Sequence, residues 1–296
     1  MTARRVLIIG DTHGTWAAIL DALELARRVC ADRVVSVGDF GIWPGDGEGL
    51  LDATDWACLN HGVDVLIVPG NHEDYDQIDA APVDDDGMHA LRPAVRAVPR
   101  GHAWRQHGRW WLGFSGAASI DGPGGTWPQV RGPFYGPSGM AMGDRGGWWP
   151  GERITDDDVA RAHAAIDRVE ADGGRVEVLI THDCPPWVPL GYTEPFPLGD
   201  EQRQRIGAVA DRARADWQFY GHHHRHRVDR APWGGHAVML AADHTPEEGP
   251  QWVVVETPSD PTEPISGLRP TTWTVDGALG RSGKLTAGPL EPLGTR

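Results

Sequence analysis

The chain is poor in cysteine, and its few cysteines form no recognisable framework. Its 296 residues include three of them, Cys30, Cys58 and Cys184. The number is odd and the spacing matches no zinc knuckle, which disfavours a fold held together by disulfides or by a structural zinc ion. We therefore expect a reducing, cytoplasmic location.

Positive charge is scarce as well. The formal net charge at pH 7 is −15, and the only lysine is Lys284. The sequence shows no stripe of lysine and arginine, so long nucleic acid is a poor partner for its surface. A small anionic substrate is still compatible with this charge, because bound divalent ions would reverse the local potential.

Long hydrophobic runs are missing from the sequence. No stretch approaches the ~20 apolar residues that a membrane-spanning helix needs, so we expect no membrane partner. The first apolar run, from Val6 to Ile9, is too short for the core of a signal peptide and is soon followed by Asp11. We interpret this run as the first β-strand.

What the sequence does contain is a series of polar clusters, each of which follows an apolar, β-branched or aromatic run typical of a buried strand. Side chains on loops at strand ends converge on one edge of a sheet, where open α/β folds bind their ligands. Asp, Asn and His without Cys suit divalent ions such as Mn, Fe or Zn, and paired ions commonly hydrolyse phosphate esters. The clusters are Asp11-Thr12-His13, Gly38-Asp39, Gly70-Asn71-His72-Glu73, Thr181-His182 and Gly221-His222-His223-His224.

Helical segments alternate with these strands. Apolar residues recur at helical spacing from Trp16 to Val29, and a second helix is predicted from about Leu50 to Asn60. This alternation favours parallel strands joined by right-handed crossovers. Further helices are predicted from Thr155 to Asp172, with Thr155 as the N-terminal cap, and from Asp200 to Arg214.

The five clusters resemble the motifs of the calcineurin-like metallophosphoesterase superfamily, which read D-x-H, G-D, G-N-H-(E/D), H and G-H-x-H. All five occur in the family's order, and the resemblance extends over about residues 4–256. It implies an α/β fold in which a two-sheet β-sandwich is flanked by helices, a four-layer αββα arrangement. It also implies a metal-dependent phosphoesterase whose catalytic domain spans residues 1–256.

The resemblance further implies a dinuclear metal centre bridged by Asp39, because a carboxylate has two oxygens and can contact both ions. Taken singly, most of the implied ligands could equally be capping, turn or core residues, and it is their joint occurrence in family order that indicates metal binding. The ions would be held by two sets of three residues: Asp11, His13 and His224 for the first ion, and Asn71, His182 and His222 for the second.

His72 has a different role in the resemblance, since it would contact the substrate rather than a metal. An imidazole near neutral pKa could protonate the leaving oxygen. The alternative is a phosphate contact without proton transfer. Asp74 and Asp76 are both close enough in sequence to orient the ring, and the sequence does not decide between them.

Two departures indicate which branch of the superfamily is closest. Pro69 stands where protein Ser/Thr phosphatases have Arg, and Gly38-Asp39 is not followed by their V-D-R-G. The segments at residues 116–121 and 148–152 instead resemble G-G-A-x-S-(V/I)-D and W-W-P-x-E in little-characterised bacterial and phage phosphoesterases. Ser115 and Gly122 depart from that pattern, and a long Gly/Pro insertion lies between the two segments.

This insertion, at about residues 119–153, is predicted to form a lid. Trp148 and Trp149 could form a stacking wall for a base, or could simply bury the lid against the domain. Arg131 and Arg145 are candidate phosphate clamps, with plain surface charge as the alternative. The proline-rich tail, residues 257–296, is expected to be extended or partly disordered.

The leading hypothesis is therefore hydrolysis of a small phosphate monoester or diester, possibly of a nucleotide, by a hydroxide that bridges the two metals. One alternative is a nuclease acting on DNA or RNA ends, which the acidic composition disfavours. Another is a non-catalytic metal-binding scaffold, which the full set of implied ligands disfavours. The sequence leaves open the substrate, the native metals and the oligomeric state.

Overall fold

Two β-sheets pack face to face in the computed structural model, and helices cover both outer surfaces. The structure describes residues 4–44, 47–119, 149–191, 196–243, 245, 248–249, 251–258, 260, 263–271 and 286–289. The helices within these ranges are α1 (Trp16–Arg28), α2 (Gly47–His61), α3 (Tyr75–Ala80), α4 (Asp156–Ala171) and α5 (Pro197–Ala213), with a 3₁₀ turn at Pro150–Glu152.

The strands in the same ranges are β1 (Arg4–Ile9), β2 (Ala31–Ser36), β3 (Asp64–Ile67), β4 (His89–Arg92), β5 (Val95–Ala97), β6 (His102–Gln106), β7 (Arg109–Phe114), β8 (Val176–Thr181), β9 (Trp217–Tyr220), β10 (Arg227–Arg230), β11 (His236–Met239), β12 (Trp252–Thr257), β13 (Ser266–Thr271) and β14 (Thr286–Pro289).

The first sheet has the strand order β14-β13-β12-β1-β2-β3-β5-β4. Strands β1, β2, β3 and β5 are parallel, and α1 and α2 connect the first three of them. Because side chains alternate across a strand, Leu7 and Ile9 pack with α1 and α2 on the outer face. Val6 and Ile8 face the second sheet instead. This sheet is therefore buried on both faces, which explains its nearly continuous apolar strands.

The second sheet has the order β10-β11-β9-β8-β7-β6, with β7, β8, β9 and β11 parallel. Trp111, Val178 and Phe219 fill the space between the sheets. Leu112 and Leu179 pack outward against α4 and α5. The four layers are thus helix, sheet, sheet and helix, which confirms the predicted sandwich flanked by helices.

The helix ends follow from local chemistry. Helix α4 begins after Thr155 in a capping box, in which the Thr155 hydroxyl accepts from the Asp158 backbone N–H at 3.2 Å. Helix α5 begins at Pro197, three residues before the predicted start, because proline is well tolerated in the first turn. Helix α1 lies where the apolar spacing predicted it, and α2 begins at Gly47, three residues before its predicted start.

Two predicted segments lie wholly or partly outside the described residues. Of the predicted lid, residues 120–148 are outside, and the described part is Ser119 and residues 149–153. In the proline-rich tail, β13 pairs with β12 and β14 pairs with β13, so this part of the tail extends the first sheet. No helix in the described ranges combines the length and apolar character needed to cross a membrane.

Candidate metal centre

The side chains predicted to hold metals lie just beyond the carboxyl ends of five strands from both sheets. Strands β1, β2 and β3 of the first sheet are followed by the Asp11, Asp39 and Asn71 loops. In the second sheet, His182 directly follows β8 and the His222 loop follows β9. The centre therefore straddles the edge at which the two sheets meet.

A first group of side chains converges around Asp11. The ligand atoms of Asp11, His13, Asp39 and His224 all lie within 4.8 Å of one another. The Nε2 atoms of His13 and His224 are 3.0 Å apart, and His224 Nε2 is 3.2 Å from Asp11 Oδ2. This is the set that the sequence assigns to the first metal, together with the bridging carboxylate.

A second group shares Asp39 with the first. The ligand atoms of Asp39, His182 and His222 also lie within 4.8 Å of one another. His182 Nε2 is 3.3 Å from Asp39 Oδ1 and 2.9 Å from Asn71 Oδ1. All seven predicted ligands are thus brought together, and Asp39 belongs to both groups.

Two features of this arrangement suit bound cations. Asp11 Oδ1 is buried and has no hydrogen-bond partner in the described part of the chain, so a positive ion would compensate it. The facing nitrogens of His13 and His224 can share at most one proton, whereas both lone pairs can bind the same ion. The mixed oxygen and nitrogen donors fit borderline divalent ions.

Hydrogen bonding, burial and the nearby carboxylate of Asp39 set the orientation and charge of the imidazoles. The Nδ1–H of His182 donates to the Val37 carbonyl at 3.0 Å, which directs Nε2 into the centre. Burial lowers the pKa of His13 to about 4 and that of His222 to about 3, so both are neutral at pH 7. Burial also opposes the charging of His182, but the Asp39 carboxylate outweighs it and raises the pKa of His182 to about 10.

The backbone at four of the ligands adopts an unusual conformation. His13, Asp39, His222 and His224 have φ angles of 44°, 48°, 65° and 53°. Residues other than glycine rarely adopt positive φ, and such strain tends to be retained at functional sites.

Glu73 supports the centre, although the sequence analysis gave it no role beyond its place in a motif. Its buried carboxylate accepts from the backbone N–H groups of Asp39 and Gly41 at 3.1 Å each, and from that of Gly70. Burial and the nearby Asp39 raise the pKa of Glu73 to about 7. The contacts tie the loop after β2 to the loop after β3.

His72, the predicted substrate-contacting residue, lies at the rim of the same centre. Its backbone N–H donates to Asp39 Oδ1 at 2.9 Å, and its ring centroid is 5.8 Å from that of His13. The ring is half-buried. Of its two suggested partners, Asp74 uses its side chain to cap α3 by accepting from the Gln77 backbone N–H.

The predicted lid residues are placed only in part. Arg131, Arg145 and Trp148 lie outside the described residues. Trp149 is 2% exposed and packs with Trp43 and Tyr75, as in the alternative in which it buries the lid.

Three further residues near the centre were missed by the sequence analysis. Asp183 Oδ1 is 2.8 Å from His223 Nε2, and this buried pair flanks His222. Ser119 and Glu152 are buried beside Asn71 and bonded to each other. Ser119 lies in the segment at residues 116–121, and Glu152 lies in the segment at residues 148–152. The resemblance of these segments to bacterial and phage phosphoesterases was the only sequence signal for the two residues.

Comparison with known proteins agrees with this fold. The family profile of calcineurin-like phosphoesterases matches residues 4–226. A dimetal phosphatase from Danio rerio shares 15% identity at a TM-score of 0.52, over 90% of this chain and 95% of that chain. GAP50, the anchor in the inner membrane complex of Plasmodium, shares 10% identity at a TM-score of 0.50, over 90% and 84%. At these identities the two structures show a common fold alone. No curated protein matches the sequence significantly.

Proposed function

The chain belongs to the calcineurin-like phosphoesterase family, and from this membership we propose that it hydrolyses a small phosphate ester, such as a nucleotide, at the centre bridged by Asp39. The observation that carries the proposal is the sharing of Asp39 by two groups of ligand atoms, each within 4.8 Å. Paired divalent ions are suited to in-line displacement at phosphorus.

The predicted ligands form two groups, one for each of the two ions. Asp11, His13 and His224 would hold one ion, and Asn71, His182 and His222 would hold the other, as manganese, iron or zinc. When bound, the ions supply Lewis-acid charge and an activated water for the attack on phosphorus. Asp39 would contribute to both positions, because its carboxylate belongs to both groups.

His72 would face the phosphoryl group from the rim. Its backbone hydrogen bond to Asp39 fixes the main chain, and the half-buried ring remains accessible to a ligand. The imidazole can donate to a phosphoryl oxygen and can give a proton to the leaving oxygen. Imidazole ligands add no negative charge, which keeps the centre attractive to a phosphate despite the acidic chain.

The test compares p-nitrophenyl phosphate with bis-p-nitrophenyl phosphate, using protein supplied with Mn²⁺. We expect turnover of at least one ester and a loss of about 10³-fold or more in Asp39→Asn, which removes charge from both metal positions. Asp52→Asn is the matched control, because that carboxylate is 66% exposed on α2 and should leave turnover unchanged. Full activity in Asp39→Asn with intact metal content would refute the proposal.

A further inference from the structure

A chain of buried hydrogen bonds leads from the Asn71 side chain to a carboxylate. Asn71 Nδ2 donates to Ser119 Oγ at 3.0 Å, and the Ser119 hydroxyl donates to Glu152 Oε2 at 2.6 Å. The Ser119 backbone N–H donates to the other carboxylate oxygen at 2.9 Å. All three residues are at most 2% exposed, so water does not compete for these bonds.

We propose that Ser119 and Glu152 are positioning residues that turn the Asn71 carbonyl oxygen toward the metal. The proposal rests on the proposed function, because it concerns one ligand of the same centre. An amide has an oxygen on one side and an NH₂ on the other, with nearly the same shape. Only the oxygen can bind a cation, so a ligand asparagine needs a neighbour that selects one orientation.

The direction of the hydrogen bonds provides this selection. Both oxygens of the Glu152 side chain accept from Ser119, so the single proton of the Ser119 hydroxyl is already used. Ser119 Oγ can then only accept from Asn71, which must present its NH₂ group. The opposite side of the amide, Oδ1, is left facing His182 Nε2 at 2.9 Å. An ion held at this position would be contacted by both of these atoms.

The turn that carries Glu152 is itself held rigidly. The partly buried Arg100 guanidinium donates to the carbonyl oxygens of Gly151 at 2.6 Å and Arg153 at 2.8 Å, one on each side of Glu152. A side chain at Gly116 would collide with the Glu152 carbonyl, so glycine permits the two segments to approach. The segment at residues 116–121 thus supplies Ser119, and the segment at residues 148–152 supplies Glu152.

The experiment measures binding of Mn²⁺ by isothermal titration calorimetry to the full-length chain. Glu152→Gln keeps the shape but can donate to Ser119 Oγ, which frees the Ser119 proton to point at Asn71 and lets the amide turn over. We expect this variant and Ser119→Ala to bind one of the two Mn²⁺ ions about 10–100-fold more weakly, the usual effect of losing an orienting partner. Ser119→Thr keeps a hydroxyl and should bind as the wild type does.

Glu177→Gln is the matched control, because this mostly buried carboxylate pairs with Arg109 near the start of β8, away from the centre. It should leave both ions unaffected. Circular dichroism of each metal-free variant establishes that it is folded before titration. Wild-type affinity for both ions in both Glu152→Gln and Ser119→Ala would overturn the proposed relay.

A second comparison, made in the Asn71→Asp variant, distinguishes an effect on the orientation of the ligand at position 71 from a general loss of packing. In Asn71→Asp, the new carboxylate at position 71 and the Glu152 carboxylate compete for the single proton of the Ser119 hydroxyl. Adding Glu152→Gln supplies an NH₂ group that donates to Ser119 Oγ, so the hydroxyl can donate to the carboxylate at position 71. The double variant should therefore bind Mn²⁺ more tightly than Asn71→Asp alone. With asparagine at position 71, the same Glu152→Gln change should weaken Mn²⁺ binding, so the two effects have opposite signs. A weakening by the same factor in both backgrounds would also overturn the relay. A wild-type chain that binds no Mn²⁺ pair would instead refute the proposed function on which the relay depends.

Discussion

At the scale of the single residue, the metal centre depends on two glycines, which have no side chain, as well as on its ligands. Gly221 and Gly70 have no side chain at the points where their backbone lies against Asp11 and Asp39, and a Cβ at either position would collide with the carboxylate. The glycines in the G-N-H and G-H-x-H motifs are therefore required sterically. They let the loops from β3 and β9 approach the metal ligands of neighbouring loops.

Gly221→Ala tests this steric requirement. The added methyl group should displace the Asp11 carboxylate, which is also held by the His222 backbone N–H at 2.9 Å. We expect about tenfold or greater weakening of Mn²⁺ binding, measured by titration calorimetry. Gly49→Ala is the control, because nothing lies within 4 Å of that added carbon in α2. Equal metal affinity in the two variants would contradict the argument.

At the scale of the element, the first turn of α4 caps its own helix and also contacts Arg100, which holds the turn around Glu152. Asp158 closes the capping box with Thr155 and also pairs with Arg100 at 3.1 Å. Although burial alone would raise it, Arg100 and Thr155 hold the pKa of Asp158 below its ordinary value of 3.8. Its carboxylate therefore stabilises the fold at pH values above the unfolded pKa, and this contribution is lost as pH falls through the folded pKa.

Asp158→Asn should reduce the free energy of unfolding at pH 7 by about 1–3 kcal/mol, since it removes a cap and one partner of a buried pair. Urea unfolding should show this difference beginning to shrink below about pH 4, where the unfolded carboxylate takes up a proton, and disappearing only below the lower folded pKa. Asp157→Asn is the control in the same turn, because that side chain is exposed and should change stability by less than about 0.5 kcal/mol. A difference independent of pH would exclude the electrostatic explanation.

At the scale of the whole molecule, the ligands come from both sheets, and bound ions would therefore join the two halves of the sandwich. Asp11, Asp39 and Asn71 follow strands of the first sheet, whereas His182 and His222 follow strands of the second. A ligand that binds only the folded chain stabilises it by about 2.7 kcal/mol at one hundred times its Kd.

Scanning calorimetry should therefore show a melting temperature several degrees higher with excess Mn²⁺ than with EDTA, given about 2–4 °C per kcal/mol for a domain of 150–250 residues. Asp39→Asn should show a much smaller rise, because both positions lose their shared carboxylate. A melting temperature that does not depend on metal in the wild type would count against a centre formed between the sheets.

The sequence by itself was enough to predict the family, the four layers and the convergence of the seven ligands. Strand periodicity, glycine and the order of the motifs are local signals, and the carboxyl ends of parallel strands must meet at one edge. The extra strand pairs β12–β13 and β13–β14 could not be predicted, because the tail has little apolar periodicity and its pairing depends on an available sheet edge.

Only the tertiary structure decided which residues support the ligands. Ser119 and Glu152 are 33 residues apart, and their bond exists because Gly116 and Arg100 bring two distant segments together. Likewise, Asp74 lies near His72 in sequence but caps α3. Metal ligands carry a motif that can be read along the chain, whereas hydrogen-bond direction and buried contacts arise only when the chain has folded.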